Sequence, residues 1–120
     1  MDKDYLLPIG HVAVFYLPAA KLAYDVSAYG HLQDYLRKNH FGYTMQEGKI
    51  FGYWMEEHGA FLKEDNVRFE VSFGGGDSAV DGFVNFLADL CFRMEEDAIY
   101  LTMGYKSYLV LPRKDSNGEV

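Results

Sequence analysis

Residues 67–73 form the most regular pattern in the chain and constrain its fold more than any other segment. Apolar and polar side chains alternate there one by one, in the order Val67, Arg68, Phe69, Glu70, Val71, Ser72 and Phe73. Successive side chains of a β-strand point to opposite faces of a sheet, so this pattern predicts a strand with one apolar and one more polar face. The apolar face must be covered by a second layer.

Two segments have the spacing of amphipathic helices and can supply that layer. In the first, Tyr29, Leu32 and Leu36 recur at intervals of three and four residues, and Asp25 or Ser27 is a candidate N-cap. In the second, which follows three glycines, the apolar side chains at helical spacing are Val80, Phe83, Val84, Leu87, Cys91 and Met94. Gly82 lies inside this second helix, and we expect a close approach to the sheet to explain it.

Further strands are predicted at residues 11–17, 99–103 and 107–111. Residues 43–62 have the composition of strands broken by turns, with a turn at residues 47–49 and strands at 50–55 and 60–62. The resulting order of elements predicts an α+β chain of the ferredoxin-like βαββαβ type. In this two-layer sandwich an antiparallel sheet carries two helices on one face, and the turn near Gly59 adds an extra hairpin. We expect a single domain over residues 1–112 and a disordered tail over residues 113–120.

Charge and cysteine content argue against several classes of protein. The formal net charge is −7 and the eleven basic residues form no cluster, so direct nucleic-acid binding is not expected. A single cysteine, Cys91, permits no intrachain disulfide, and we expect it to pack in the core. No apolar stretch suits a signal peptide or a bilayer span, which predicts a cytoplasmic protein without membrane contact.

Two helices can cover only one face of the sheet, so the opposite face either packs against a partner or is covered by loops or the N-terminal segment of the same chain. The predicted alternation turns Arg68, Glu70 and Tyr100 to that side. The first strand turns one of two sets of side chains to the same side: Val12, Val14 and Tyr16, or His11, Ala13, Phe15 and Leu17. An exposed face with apolar area usually marks an interface. The candidate ligand or interface residues are Arg68, Glu70, Tyr100, His11, Tyr53 and Trp54.

Motifs for specific chemistry are missing from the sequence. The four histidines, His11, His31, His40 and His58, do not have the spacing of a metal site. The three glycines at 74–76 precede Asp77 rather than a phosphate-binding Lys-Ser/Thr pair. We therefore assign no cofactor, no metal and no catalytic residue. Glu70 could act as a base with Arg68 beside it, although the two could equally form a structural ion pair.

Three functions remain open on this basis. The favoured one is a non-catalytic binding or assembly module that forms a homodimer through the uncovered face, with a possible small-molecule ligand there. The second is a small-molecule enzyme of the dimeric ferredoxin-like (α+β barrel) type, with Arg68, Glu70 and His11 lining its pocket. The third is an acidic inhibitor or nucleic-acid mimic that binds a basic protein through the acidic clusters Glu56-Glu57, Glu64-Asp65 and Glu95-Glu96-Asp97.

Overall fold

A computed structural model describes residues 6–7, 10–40, 42–55, 59–74 and 76–114, without the side chains of Trp54, Phe61 and Phe73. The elements in these ranges are β1 (His11–Pro18), α1 (Ala19–Tyr24), α2 (Val26–Asn39), β2 (Gly42–Gln46), β3 (Phe51–Met55), β4 (Phe61–Phe73), α3 (Gly76–Arg93), β5 (Ile99–Met103) and β6 (Lys106–Val110).

The six strands form one antiparallel sheet in the order β2-β4-β1-β5-β6, and β3 also pairs with β4. The central strands β1 and β4 are aligned over the whole length of β1, from His11 opposite Phe73 to Pro18 opposite Asn66. The order β2-β4-β1-β5, with a helix between β1 and β2 and another between β4 and β5, is that of a ferredoxin-like sandwich. The predicted fold class is confirmed.

The core lies between this sheet and the helices. The Phe15 ring of β1 stacks on Phe69 of β4 at a centroid distance of 5.0 Å, and it also packs edge-on with the Phe83 ring of α3 at 5.8 Å. Leu32 and Leu36 of α2 are fully buried against the same cluster. The apolar sides of α2 and α3 thus pack against the same face of the sheet, as their periodicity predicts.

The edge of the sheet beyond β4 is built from two consecutive strands. β2 pairs with residues 68–72 of β4 and β3 pairs with residues 61–65. Between them the chain turns at Gly48 and Lys49, both with positive φ (81° and 57°), and then rejoins β4 where Asn66 N donates to Ile50 O at 2.8 Å. We call β3 and residues 61–65 the arm. The arm extends past the end of β1 and corresponds to the predicted extra hairpin.

Local details confirm some predictions and correct others. Asp25 is the N-cap of α2, and its carboxylate accepts a hydrogen bond from Ala28 N at 3.0 Å. Gly82, however, is exposed, and a β-carbon there would meet only the Tyr35 hydroxyl at 3.9 Å, so a close approach to the sheet does not explain it. A short helix, α1, directly follows Pro18 and was not predicted.

Arg113, the first residue of the expected disordered tail, is hydrogen-bonded to α3. The Arg113 guanidinium donates two hydrogen bonds of 2.9 Å to the Asp89 carboxylate, and Arg113 N donates to Ala88 O. The rest of the predicted tail, residues 115–120, lies outside the described residues. None of the helices in the described part is long and apolar enough to cross a bilayer.

Candidate functional site on the open face of the sheet

The side of the sheet opposite the helices carries the residues that the alternation predicted for it. Phe69 and Val71 of β4 and Leu101 of β5 are buried on the helix side, so Arg68, Glu70 and Tyr100 point the other way. On β1, Ala13, Phe15 and Leu17 are buried, which selects Val12, Val14 and Tyr16 for the outer side. We call this surface the open face; its central members are Val14, Tyr16, Arg68, Glu70, Tyr100 and Thr102.

Arg68 and Glu70 form an ion pair at the centre of the open face. The two residues are neighbours on the same side of β4, and Arg68 Nη2 donates to Glu70 Oε1 at 3.0 Å. This hydrogen bond raises the pKa of Arg68, and Tyr16 adds to the effect. The side chains are 31% and 42% exposed, so water or a ligand reaches both partners. Such exposed pairs contribute only about 0–1 kcal/mol to stability.

Aromatic rings continue the open face beside this pair. The sheet register places Tyr16 opposite Arg68, and the Tyr16 and Tyr100 rings lie 6.1 Å apart, tilted by 43°. Val14 and Thr102 are direct partners in the next row. A guanidinium, a carboxylate and two phenol rings therefore share one half-buried surface across three neighbouring strands. This combination can hold a ligand that has both charged and apolar parts.

The remaining predicted site residues do not join this group. His11 has the parity of Ala13 and belongs to the helix side of β1, at the end of the strand. Tyr53 is exposed on the arm, where it pairs with Lys63, five residues before Arg68. The backbone of Trp54 pairs with Leu62 in the arm, but its side chain lies outside the described residues. The register therefore separates His11 from Arg68 and Glu70, and Tyr16 is the β1 residue that lies opposite Arg68.

Tyr16 is the site residue that the sequence did not single out. Residues 11–17 are apolar on both parities, because β1 is central, so periodicity alone could not tell which set faces outward. The outward orientation of Tyr16 follows once β1 is paired with the alternating segment of β4, because residues directly opposite each other in a sheet share a face. A tyrosine opposite an arginine on an otherwise apolar strand brings a hydroxyl to the polar side.

Cys91 belongs to the core, as predicted. Its side chain is fully buried, and its thiol donates to Glu96 O at 3.3 Å. Burial, followed by the nearby Glu96 and Asp97, raises the pKa of the thiol to about 11, so it stays protonated at neutral pH. In the ranges that the structure describes, no three histidine, cysteine or acidic side chains converge as metal ligands.

A second charged cluster lies at the end of α3. Burial raises the pKa of the Glu96 carboxyl, the nearby Glu64 of the arm raises it further, and Lys21 lowers it. The Lys21 ammonium also donates to Met94 O at 2.8 Å, at the C-terminal end of the helix, where cations are favoured. Two of the predicted acidic clusters, at residues 64–65 and 95–97, therefore lie near each other. The third, Glu56 and Glu57, lies outside the described residues.

Comparison with known proteins gives a structural likeness only. No family model matches the chain, and no curated protein matches it significantly. Two solved structures are similar. One is a phage SAM lyase in complex with S-methyl-5′-thioadenosine, with a TM-score of 0.59, 11% sequence identity, and coverage of 92% of this chain and 96% of the other. The second is a phage SAM lyase in the apo state, with a TM-score of 0.56, 9% identity, and coverage of 94% and 98%. At these identities the likeness shows the fold.

This finding corrects the favoured functional prediction. A non-catalytic binding or assembly module was expected because the sequence has no motif for a nucleophile, a metal or a cofactor. The two similar solved structures, which match nearly the whole chain, are instead those of an enzyme, one of them with a bound small molecule. The alternative of a small-molecule enzyme is favoured over the main prediction.

Proposed function

We propose that this protein is a small-molecule enzyme that binds S-adenosylmethionine (SAM) on its open face and cleaves it as a lyase. The observation that carries the proposal is the group formed by Arg68, Glu70, Tyr16 and Tyr100 on a fold shared with a SAM lyase. SAM has a zwitterionic amino-acid end, a positively charged sulfur and an adenosine. The open face offers a charged pair and aromatic rings side by side, which suits such a molecule.

The proposed reaction needs no group beyond the substrate. The bond between the sulfur and the γ-carbon of the amino-acid chain breaks, and its electron pair stays on sulfur, which becomes the neutral thioether of S-methyl-5′-thioadenosine. An oxygen of the substrate's own carboxylate forms the new bond to the γ-carbon and closes homoserine lactone. Atoms and charge balance without water or a second reactant, because the single positive charge remains on the substrate's ammonium group.

The change in charge during this step indicates what the protein must provide. A carboxylate and a sulfonium neutralise each other in the transition state, so a site of low dielectric constant favours the step relative to water. A protein carboxylate held against the sulfur would instead stabilise the ground state more than the transition state. We therefore place the Tyr16 and Tyr100 rings next to the sulfur and the Glu70 carboxylate farther along the chain.

A homodimer would enclose this site. The open face exposes Val12 beside the half-buried Val14, and a second copy packed over it would remove water from the bound substrate. Two-fold pairing of one surface is the commonest arrangement of soluble oligomers. The homodimer and the cytoplasmic location expected from the sequence are both part of this proposal.

Turnover of SAM tests the proposed function. Purified protein is incubated with SAM, and S-methyl-5′-thioadenosine and homoserine lactone are quantified by chromatography and mass spectrometry. The wild type should produce both in equal amounts. Glu70→Gln should lower kcat/KM by about 10- to 100-fold, because a hydrogen bond to a charged group contributes about 1.5–3 kcal/mol.

Asp34→Asn is the matched control, since Asp34 forms an equivalent exposed ion pair with Arg37 on α2, at 2.8 Å and away from the sheet. The control should keep wild-type turnover. Absence of products with the wild type, or equal turnover in Glu70→Gln and the wild type, would contradict the proposal.

A further inference from the structure

The ion pair on the open face has the charge pattern of an amino-acid end group. Arg68 and Glu70 present a cation and an anion 3.0 Å apart on the same side of one strand. An α-amino acid presents an anion and a cation, its carboxylate and ammonium, on a single carbon. The two patterns are complementary when the carboxylate meets the guanidinium and the ammonium meets the carboxylate of Glu70.

The pair can accept such a partner without coming apart. Its hydrogen bond joins one guanidinium nitrogen to one carboxylate oxygen. An arginine has five N–H donors and a carboxylate accepts at both oxygens, so each side chain can form a second charged hydrogen bond. Partial exposure of both residues leaves them accessible, and the weak net contribution of an exposed pair makes rearrangement inexpensive.

The distance between neighbouring strands indicates where the sulfur of SAM would lie. Only two methylene groups separate the α-carbon of SAM from its sulfur. Neighbouring strands lie about 4.8 Å apart, so a molecule whose amino-acid end is held over β4 places its sulfur one strand away, over β1. Tyr16 is the β1 residue opposite Arg68, and the Tyr100 ring lies beside it on β5 at 6.1 Å. The aromatic faces are therefore where a soft cation prefers to bind.

From this arrangement we infer that Arg68 and Glu70 are specificity-determining residues for the amino-acid end of the substrate. Arg68 binds one oxygen of its carboxylate and Glu70 binds its ammonium, which leaves the second carboxylate oxygen to reach the γ-carbon. This inference rests on the proposed function and extends it: the enzyme selects zwitterionic sulfonium compounds over those that lack either charge.

Three ligands that differ in these two groups test the inference by isothermal titration calorimetry, and S-methyl-5′-thioadenosine also lacks the positive charge on sulfur and the carbon chain. SAM has both groups, decarboxylated SAM has the ammonium alone, and S-methyl-5′-thioadenosine has neither. The wild type should bind SAM about 10- to 100-fold more tightly than decarboxylated SAM. Arg68→Gln should abolish that preference and leave the affinity for S-methyl-5′-thioadenosine within about twofold of the wild type.

Glu70→Gln should act differently from Arg68→Gln. It should weaken SAM and decarboxylated SAM alike, because both carry the ammonium, and it should leave S-methyl-5′-thioadenosine unaffected. Arg37→Gln is the matched control for the loss of an arginine from an exposed ion pair, and it should leave all three affinities unchanged. Thermal unfolding of each variant separates loss of binding from loss of structure.

The possible results separate this inference from the proposed function. If SAM is bound and cleaved but Arg68→Gln keeps the wild-type preference for SAM over decarboxylated SAM, the inference is wrong and the proposed function stands. An equal loss of affinity for all three ligands in Arg68→Gln would also overturn it, since that result indicates a purely structural role. If the wild type binds none of the three, both proposals are wrong.

Discussion

His40 is a residue whose pKa depends on its packing in the folded protein. The residue follows α2, and its ring packs against the rings of Tyr35 and Phe83, at centroid distances of 5.6 and 5.5 Å. Both ring nitrogens are buried. Burial lowers the pKa of His40 below its ordinary value of 6.5, because removal from water disfavours the charged imidazolium.

The lowered pKa predicts a loss of stability in acid. The unfolded chain binds a proton at His40 more readily than the folded chain, so the free energy of unfolding decreases as the pH falls from above 6.5 through the lower folded pKa. Chemical denaturation of the wild type and His40→Phe between about pH 7.5 and pH 5 measures this effect. The wild type should lose stability relative to the variant.

His31→Gln is the control for the removal of a histidine from the same part of the chain, because His31 is exposed on α2. Parallel profiles for the wild type and His40→Phe would show that burial of His40 does not govern the acid response.

At the same scale, the sequence identified part of the candidate site but not all of it. Arg68 and Glu70 could be predicted as neighbours because period-two alternation places i and i+2 on one face regardless of the strand's position in the sheet. Tyr16 could not, since a central strand is apolar on both sides and its orientation depends on pairing. His11 was a candidate because one of the two possible orientations of the first strand turns it outward, and the strand register selects the other orientation.

At the scale of elements, both long helices contain a glycine that packing does not require. A β-carbon added at Gly30 of α2 meets nothing within 4 Å, and one added at Gly82 of α3 meets only the Tyr35 hydroxyl at ordinary contact distance. Each glycine in a helix interior destabilises it by about 0.5–1 kcal/mol relative to alanine. Gly30→Ala and Gly82→Ala should therefore each raise the melting temperature by a few degrees, with additive effects.

Gly104→Ala provides the contrasting control for this measurement by thermal unfolding. Gly104 lies in the β5–β6 turn with a φ of 61°, where a side chain is strained, so the variant should melt below the wild type. A lower melting temperature for Gly30→Ala or Gly82→Ala would show that the helical glycines have a role in packing.

The helices and the alternating strand were predictable because each has a strong local period. The turn at Gly48 and Lys49 was also predictable, but the pairing of both β2 and β3 with one long strand, β4, was not, since it depends on contacts between distant segments. The short helix α1 was missed for a related reason. It has only six residues, and Leu22 is its only buried side chain, so no periodic pattern can form.

At the scale of the whole molecule, the helices of the described residues cover one face of the sheet, and the proposed dimer through the other face should be disrupted by an added charge. Val12 is 49% exposed at the end of β1, on the open face. Val12→Asp would place a carboxylate inside the proposed interface, where burial of an unpaired charge is strongly unfavourable. Light scattering at high micromolar concentration should show a dimer for the wild type and a monomer for Val12→Asp.

Val26→Asp is the matched control, because Val26 is exposed at the start of α2 on the helix side and its substitution should leave the dimer intact. A monomeric wild type, or a Val12→Asp variant that stays dimeric, would contradict assembly through the open face. The enzyme proposal would then need another element to exclude water from the site.

Locating the bound ligand is the most direct test of the central claim that the open face is a substrate site. Titration of isotope-labelled protein with S-methyl-5′-thioadenosine, followed by NMR chemical shifts of the backbone amides, gives that location. The account predicts shifts concentrated around Tyr16, Arg68 and Tyr100 on β1, β4 and β5. No shifts at saturating ligand, or shifts confined to the outer surfaces of α2 and α3, would contradict it.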